Sequence, residues 1–137
     1  MLVESRQEAI ALLLRSFGLR YSDGSFTLIN TLLNAAHTEQ AAMYFRPELS
    51  MSDARELMGF SQHKMSRICK SLAANGVLEI IEDYEYLRYY HRPVYRKSVR
   101  LSAEFCRRFA FLMLAEPGMT GEEEEVLRQN IAKEVRD

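Results

Sequence analysis

The chain has 137 residues, 47% of them apolar, and its 18 Lys and Arg nearly balance 19 Asp and Glu, which predicts one globular domain over residues 1–137. No apolar run approaches the roughly 18 residues of a spanning helix, and the first residues lack a signal-peptide pattern. Cys69 and Cys106 are too few for a disulfide framework. We therefore expect a cytoplasmic protein with reduced thiols and no membrane contact.

Two helices are predicted in the first part of the chain. Apolar residues recur at helical spacing from Val3 to Phe17. A turn cluster at residues 21–25 can cap a second helix from Phe26 to His37. The short aromatic segment from Ala42 to Arg46, closed by Pro47, is expected to be a brief strand.

A helix-turn-helix is predicted from residue 49 onward. Ser50 or Ser52 can cap a short helix that ends at Gly59, because glycine adopts the left-handed conformation without strain. Ser61 can then cap a second helix that reaches Asn75. Two helices joined across so short a turn are typical of this motif.

A β-hairpin is predicted after the second helix. Residues 77–82 form an apolar first strand, and residues 94–101 alternate in the manner of a second strand. The polar span between them is rich in Tyr and Arg and is expected to be a long tip. A hairpin in this position is the wing of a winged helix, so residues 49–102 are predicted to be the DNA-binding part.

Positive charge is concentrated in the middle of the chain. Residues 61–110 carry ten basic and five acidic groups, whereas residues 1–60 carry five and seven, and residues 111–137 carry three and seven. Such a stretch indicates a surface that binds phosphates. The alternative is a basic solvated face that acidic groups of the same fold balance.

The helix that Ser61 begins separates into two faces. Met65, Ile68, Cys69 and Leu72 share one face and are expected to point inward. The other face contains no acid and suits a helix in the major groove of DNA. We predict that it binds DNA through Ser61, Gln62, His63, Lys64, Ser66, Arg67 and Lys70.

The wing alternates cations with tyrosines. An arginine at its tip can enter a minor groove, and we favour Arg88 and Arg92 there, with Arg96 as a further contact. Tyrosine hydroxyls can bond backbone oxygens of DNA. The alternative, which we favour, is that the tyrosines mainly pair across the hairpin; they are Tyr84, Tyr86, Tyr89, Tyr90 and Tyr95.

The sequence from Leu49 to Leu127 resembles the MarR family of bacterial transcription regulators. Residues 49–53 are similar to the opening of that family's first DNA-domain helix, and residues 59–67 to its turn and recognition helix. The family's segment that leads into the wing is similar to residues 72–78, and the strand and helix start after its wing are similar to residues 99–105. The acidic start of its last helix is similar to residues 120–127. The wing lacks the Asp-x-Arg pattern that is common in the family.

The resemblance implies a homodimer whose end helices interlock around a two-fold axis. Residues 1–37 and 103–137 are expected to form this dimerisation part, and the helix at 103–115 is apolar on several sides, which requires more than one neighbour. The two recognition helices would then enter major grooves roughly 34–36 Å apart.

Two further expectations follow from the resemblance. The resemblance implies a small aromatic, anionic effector where the end helices meet the DNA-binding part, among Phe26, Tyr44, Phe45, Phe105, Phe109 and Phe111. The alternative is that these aromatic side chains simply fill the core. Cys69 could be a redox switch, although an inward cysteine is usually a small apolar residue.

No pattern in the sequence indicates catalysis. His37, His63 and His91 lack metal-ligand spacing, and no glycine-rich phosphate loop is present, so no enzyme activity, metal or cofactor is expected. We predict a mainly α winged helix-turn-helix with a β-hairpin wing and N- and C-terminal dimerisation helices. Its expected function is a homodimeric transcription repressor that binds a palindrome in double-stranded DNA. The alternatives are a winged-helix protein-interaction module and a plasmid or phage replication initiator.

Overall fold

The computed structural model describes residues 1–36, 38–87 and 92–136, with side chains not described at positions 39, 85–87 and 92–94. Its helices are α1 Arg6–Ser16, α2 Asp23–Asn34, α3 Glu39–Phe45, α4 Met51–Met58, α5 Gln62–Ala74, α6 Ala103–Leu114 and α7 Gly121–Glu134, and its strands are β1 Glu48–Ser50, β2 Leu78–Leu87 and β3 Arg92–Leu101. Within these ranges, no helix has the length and apolar character needed to cross a membrane.

Hydroxyl side chains begin every one of these helices. In each case the oxygen accepts a hydrogen bond from the backbone N–H three residues later, which satisfies a donor that has no partner inside the helix. The residues are Ser5, Ser22, Thr38, Ser50, Ser61, Ser102 and Thr120. The helix starts are therefore encoded locally, and six of these seven helices match the sequence prediction to within about three residues at their starts.

The end helices surround a core of large apolar side chains. Helix α6 packs against both α1 and α7. Phe105 and Phe109 of α6 are fully buried, as are Ile10 and Leu14 of α1. Helix α6 therefore has more than one neighbour, as its apolar sequence predicts.

The strand predicted at residues 42–46 is wrong, because these residues belong to the end of α3 and to the residue after it. The Thr38 hydroxyl accepts a hydrogen bond from the Ala41 N–H at 3.0 Å, which starts the helix. Arg46 ends it in the left-handed conformation, at φ 47° and ψ 71°. Alanine favours a helix over a strand. The helix that begins at the Thr38 cap and runs through Ala41 and Ala42 therefore continues through Tyr44 and Phe45, despite the strand preference of these two aromatic residues.

Helices α4 and α5 form the predicted helix-turn-helix. Gly59 ends α4 in the left-handed conformation at φ 68°, which glycine adopts without strain. Helix α2 packs against both α4 and α5. The division of the chain into a dimerisation part and a DNA-binding part stays a prediction.

The sheet contains three antiparallel strands in the order β1-β3-β2. In β2 and β3, Leu78 pairs with Leu101 and Leu87 with Arg92, so each strand is ten residues long. The predicted long tip is wrong, since residues 83–87 and 92–93 are strand. The sequence from Asp83 to Leu87 is rich in acids and tyrosines and contains no β-branched aliphatic residue, so the usual apolar signal of a strand is weak there. With seven helices and this small sheet in the described ranges, the predicted fold class is confirmed.

Candidate nucleic-acid interface

Helix α5 is held by one buried face. The side chains of Met65, Ile68, Cys69 and Leu72 are buried, at 9% exposure or less. Gly24 of α2 faces Ile68 so closely that a Cβ there would lie 2.7 Å from the Ile68 Cδ1 atom. The inward face predicted from the sequence is therefore confirmed, and the opposite face of α5 is directed to solvent.

The outer face of α5 contains basic residues and no acid. His63, Lys64, Arg67 and Lys70 are exposed, together with Ser61 and Gln62, while Ser66 is half-buried. Among the described residues, none of these four basic side chains forms an ion pair. An exposed helix face in a globular protein usually mixes both signs of charge, so this face is suited to a polyanion.

Lys64 lies at one edge of this face. Its Nζ atom is 4.2 Å from the centroid of the Phe60 ring, a cation–π contact. Lys64 and Arg67 also line a depression of about 350 Å³ with Ser22 and Ser25 at the start of α2. The structure thus brings the first turn of α2 beside the predicted DNA-binding helix.

A cleft on the other side of α5 adds a cation that the sequence analysis missed. The cleft has a volume of about 280 Å³ and is lined by Gln62, Ser66 and Lys70 of α5, Arg55 of α4 and Lys97 of β3, among others. Arg55 forms no ion pair within the described part of the chain. The tertiary structure places Arg55 beside α5 and β3, whereas the sequence of α4 shows only a base between two acids, Asp53 and Glu56.

Cations in the wing behave differently, because acids opposite them neutralise their charge. The Arg100 Nε atom donates to Glu79 Oε2 at 2.7 Å, and the Lys97 Nζ atom lies 3.8 Å from Glu82 Oε1. Arg96 is exposed, and Asp83 is its partner in the strand register. Arg88 lies outside the described residues, and the Arg92 side chain is not described, so the predicted contact of the tip stays a prediction.

Tyr84 and Tyr95 pair across the two wing strands, with ring centroids 5.6 Å apart. Their pairing confirms one part of the sequence interpretation. Both rings are nevertheless exposed, at 69% for Tyr84 and 48% for Tyr95. A hydrogen bond with Glu82 is the main cause that raises the pKa of Tyr95 above its ordinary value.

Both cysteines are buried thiols. Burial raises the pKa of Cys69 from 9.0 to about 11, and Lys97 opposes part of this shift. Burial likewise raises the pKa of Cys106 to about 12. The Cys69 Sγ atom lies 3.8 Å from the Met51 Sδ atom. These surroundings are typical of structural cysteines, since reactive ones have lowered pKa values.

The aromatic residues expected around an effector are dispersed. Phe105 and Phe109 are fully buried and stack at 6.3 Å, whereas Phe45 is 80% exposed. Phe111 lines a different space, a groove of about 530 Å³ between α1, α6 and α7. Three arginines surround the apolar floor of this groove, namely Arg107, Arg108 and Arg128.

Comparisons with known proteins add one structural likeness. No protein-family model matches the chain, and no curated protein matches its sequence. The crystal structure of the PcaV transcriptional regulator from Streptomyces coelicolor is similar, with a TM-score of 0.42 and 18% identity over 95% of this chain and 77% of that chain. A likeness of this degree assigns neither a family nor a function to this chain.

Proposed function

We propose that this protein is a sequence-specific regulator of transcription, of the MarR type, which binds double-stranded DNA through α5 and the wing. The observation that carries the proposal is the outer face of α5, where four basic side chains are exposed and have no acidic partner in the described ranges. Elsewhere the structure pairs cations readily, as Arg100 and Lys97 show in the wing. Unpaired cations on one helix face favour an external anion over an internal one.

The dimensions of the motif support binding in the major groove. An α-helix with its side chains fits that groove, whose base edges present a distinct pattern for each base pair. Arg67 lies near the centre of the outer face of α5 and can donate two hydrogen bonds to one guanine. Lys64, Lys70 and Arg55 flank it and can contact phosphates, which fixes the orientation of the helix without reading sequence.

We further propose that the protein is a homodimer that represses transcription by occupying a palindromic operator. The end helices support this proposal with exposed apolar side chains, Leu12 on α1, Leu114 on α6 and Val126 on α7, each at least 40% exposed. Leu12 also lines the groove between these helices. A two-fold axis through this part of the molecule would present two copies of α5 to two half-sites of the operator.

We also propose that a small aromatic, anionic effector weakens DNA binding. The junction where it was expected contains fully buried phenylalanines, Phe105 and Phe109, that stack on each other. Competition of salicylate-like anions against operator DNA is the direct test. By linkage, an effector that weakens DNA binding must bind more weakly when DNA is present, by the same factor.

Selection from a random pool of duplexes tests the main proposal. We expect enrichment of one palindromic sequence, with half-sites about one helical turn apart, roughly 34–36 Å. Affinity for this duplex should fall steeply with salt, because bound cations release counterions from DNA. A protein that enriches no sequence and shows no salt-dependent retention on DNA is instead a protein-interaction module. Enrichment of a repeated, non-palindromic site would favour a replication initiator.

A further inference from the structure

We propose that Tyr84 and Tyr95 form an aromatic contact surface on the wing that packs against the sugar–phosphate backbone of bound DNA. This inference rests on the proposed function, because it assigns a second, uncharged means of DNA contact to the same protein. The observation that carries it is an exposed pair of rings, 5.6 Å apart, on the wing face that continues from α5 and α4.

The strand register places both tyrosines on one face of the wing. Tyr84 pairs with Tyr95, Glu82 with Lys97 and Ile80 with Val99. Because side chains two residues apart share a face, these three pairs form a single ladder. Val99 is fully buried and Ile80 half-buried, so the ladder begins at the core and ends at the exposed rings.

Two clefts connect this face of the wing with α5. Tyr95, Lys97 and the first turn of α4 line a cleft of about 400 Å³. Met51, Ser52 and Lys97 also line the cleft beneath α5 that contains Lys70. The surface from the outer face of α5 to Tyr95 is therefore continuous, and DNA seated on α5 would extend toward the rings.

The charge of the wing strands indicates why an uncharged contact is needed there. Strand β2 contains four acids and β3 four basic residues, so the two strands together carry no net charge. Three acids lie opposite three bases in the register, Glu79 with Arg100, Glu82 with Lys97 and Asp83 with Arg96. A neutral surface releases few counterions from DNA, so its contribution to affinity must come mainly from other contacts.

The chemistry of a tyrosine pair suits the edge of a duplex. Each ring offers a large, rigid apolar surface for the C–H groups of deoxyribose, while the Tyr84 hydroxyl can bond a phosphate oxygen. Exposed aromatic rings side by side are unusual on a surface that only meets water, because burying them is favourable. Cross-strand pairing buries only part of these two rings, since Tyr84 remains 69% exposed.

The test is a salt series of binding measurements with matched variants. The double variant Tyr84→Ala with Tyr95→Ala should bind operator about tenfold more weakly at every salt concentration, because it loses apolar contact area. The slope of log affinity against log salt should remain that of the wild type, since no charge is removed. The variant Tyr84→Phe with Tyr95→Phe should keep most of the affinity. As a control, Leu57→Ala removes an equally exposed apolar side chain from α4 and should change nothing.

Unchanged affinity of the alanine variant, or an equal loss in the phenylalanine variant, would overturn the ring contact. If wild-type protein binds no duplex, the proposed function itself fails, which is a distinguishable result.

A second measurement covers the case in which the alanine variant disrupts the hairpin. Iodination of the wild-type protein should modify Tyr84 and Tyr95 when it is free and spare both in the DNA complex. Equal modification in the two states would contradict the inference.

Discussion

Arg46 and Glu79 join the end of α3 to the first long strand of the wing. The Arg46 Nη1 atom donates to Glu79 Oε1 at 3.0 Å, although the Arg46 side chain is only 5% exposed. The second carboxylate oxygen of Glu79 accepts from Arg100 at 2.7 Å. One acid thus holds two guanidinium groups from separate elements, which links the position of the wing to the helices before it.

Arg46→Ala should destabilise the protein by about 1.5–3 kcal/mol, the usual value for a hydrogen bond to a charged group. Arg46 also has a left-handed backbone at φ 47°, which costs energy for any residue with a Cβ atom. Arg46→Gly should therefore be more stable than Arg46→Ala by about 1 kcal/mol. Urea denaturation measures both differences. Equal stability of the wild type and both variants would show that neither the ion pair nor the backbone conformation matters.

Arg67→Ala should weaken operator binding by about 1–3 kcal/mol and relax discrimination at one base position, as expected for a bidentate contact to guanine. The matched control is Arg15→Ala, which removes the same charge from the exposed surface of α1. Fluorescence anisotropy on the selected operator and on single-base variants measures the effect. If a folded Arg67→Ala protein binds the operator with wild-type affinity, α5 does not lie in the major groove.

Arg88→Ala with Arg92→Ala should lower affinity for all duplexes by similar factors. Each lost phosphate contact should make the salt slope shallower by roughly one unit. The control is Glu82→Gln with Lys97→Gln, which removes a neutral ion pair from the same wing and should leave the slope unchanged. If the slope of log affinity against log salt stays as steep as in the wild type, the tip of the wing does not contact DNA.

The two thiols should be unreactive in the folded protein. Their burial should also make the free energy of unfolding fall at high pH. Burial raises the pKa of Cys69 from 9.0 to about 11, so the folded state binds its proton more tightly than the unfolded state. The stabilisation is complete below pH 9.0 and is lost as pH rises through about 11. Cys69→Ala should flatten this decline in urea midpoint. Rapid alkylation of native Cys69 at pH 7 would contradict its burial and would revive the redox switch.

Leu12→Lys should convert the proposed homodimer to a monomer. Leu12 is 41% exposed and lines the groove between the end helices, so a lysine there would place an unpaired charge where the second copy should pack. Light scattering should give twice the chain mass for the wild type and the single mass for the variant. Leu57→Lys, at a 70% exposed position on α4, is the control. A wild type that is already monomeric at binding concentrations would contradict dimer binding.

The local sequence determined most of the helices and the two faces of α5. Apolar spacing and a hydroxyl three residues before a backbone N–H are properties of neighbouring residues, so they can be read along the chain. Ser61 and the buried face from Met65 to Leu72 are examples, and the structure has both where the sequence predicts them. The same logic failed at residues 42–46, where two aromatic residues suggested a strand and the preceding cap produced a helix.

Only the tertiary structure decided which charges of the basic region remain available. The sequence shows no difference between the basic residues of the wing and those of α5. The strand register places Glu82 beside Lys97 and Glu79 beside Arg100, whereas Lys70 on α5 has no acidic partner within the described residues. Register and burial depend on residues far apart in the chain, since Glu79 meets Arg46 and Arg100 across 33 and 21 positions. The same register leaves Tyr84 and Tyr95 exposed beyond the core. Periodicity could predict their pairing, but their exposure is set by how far the hairpin extends past the helices that cover its base.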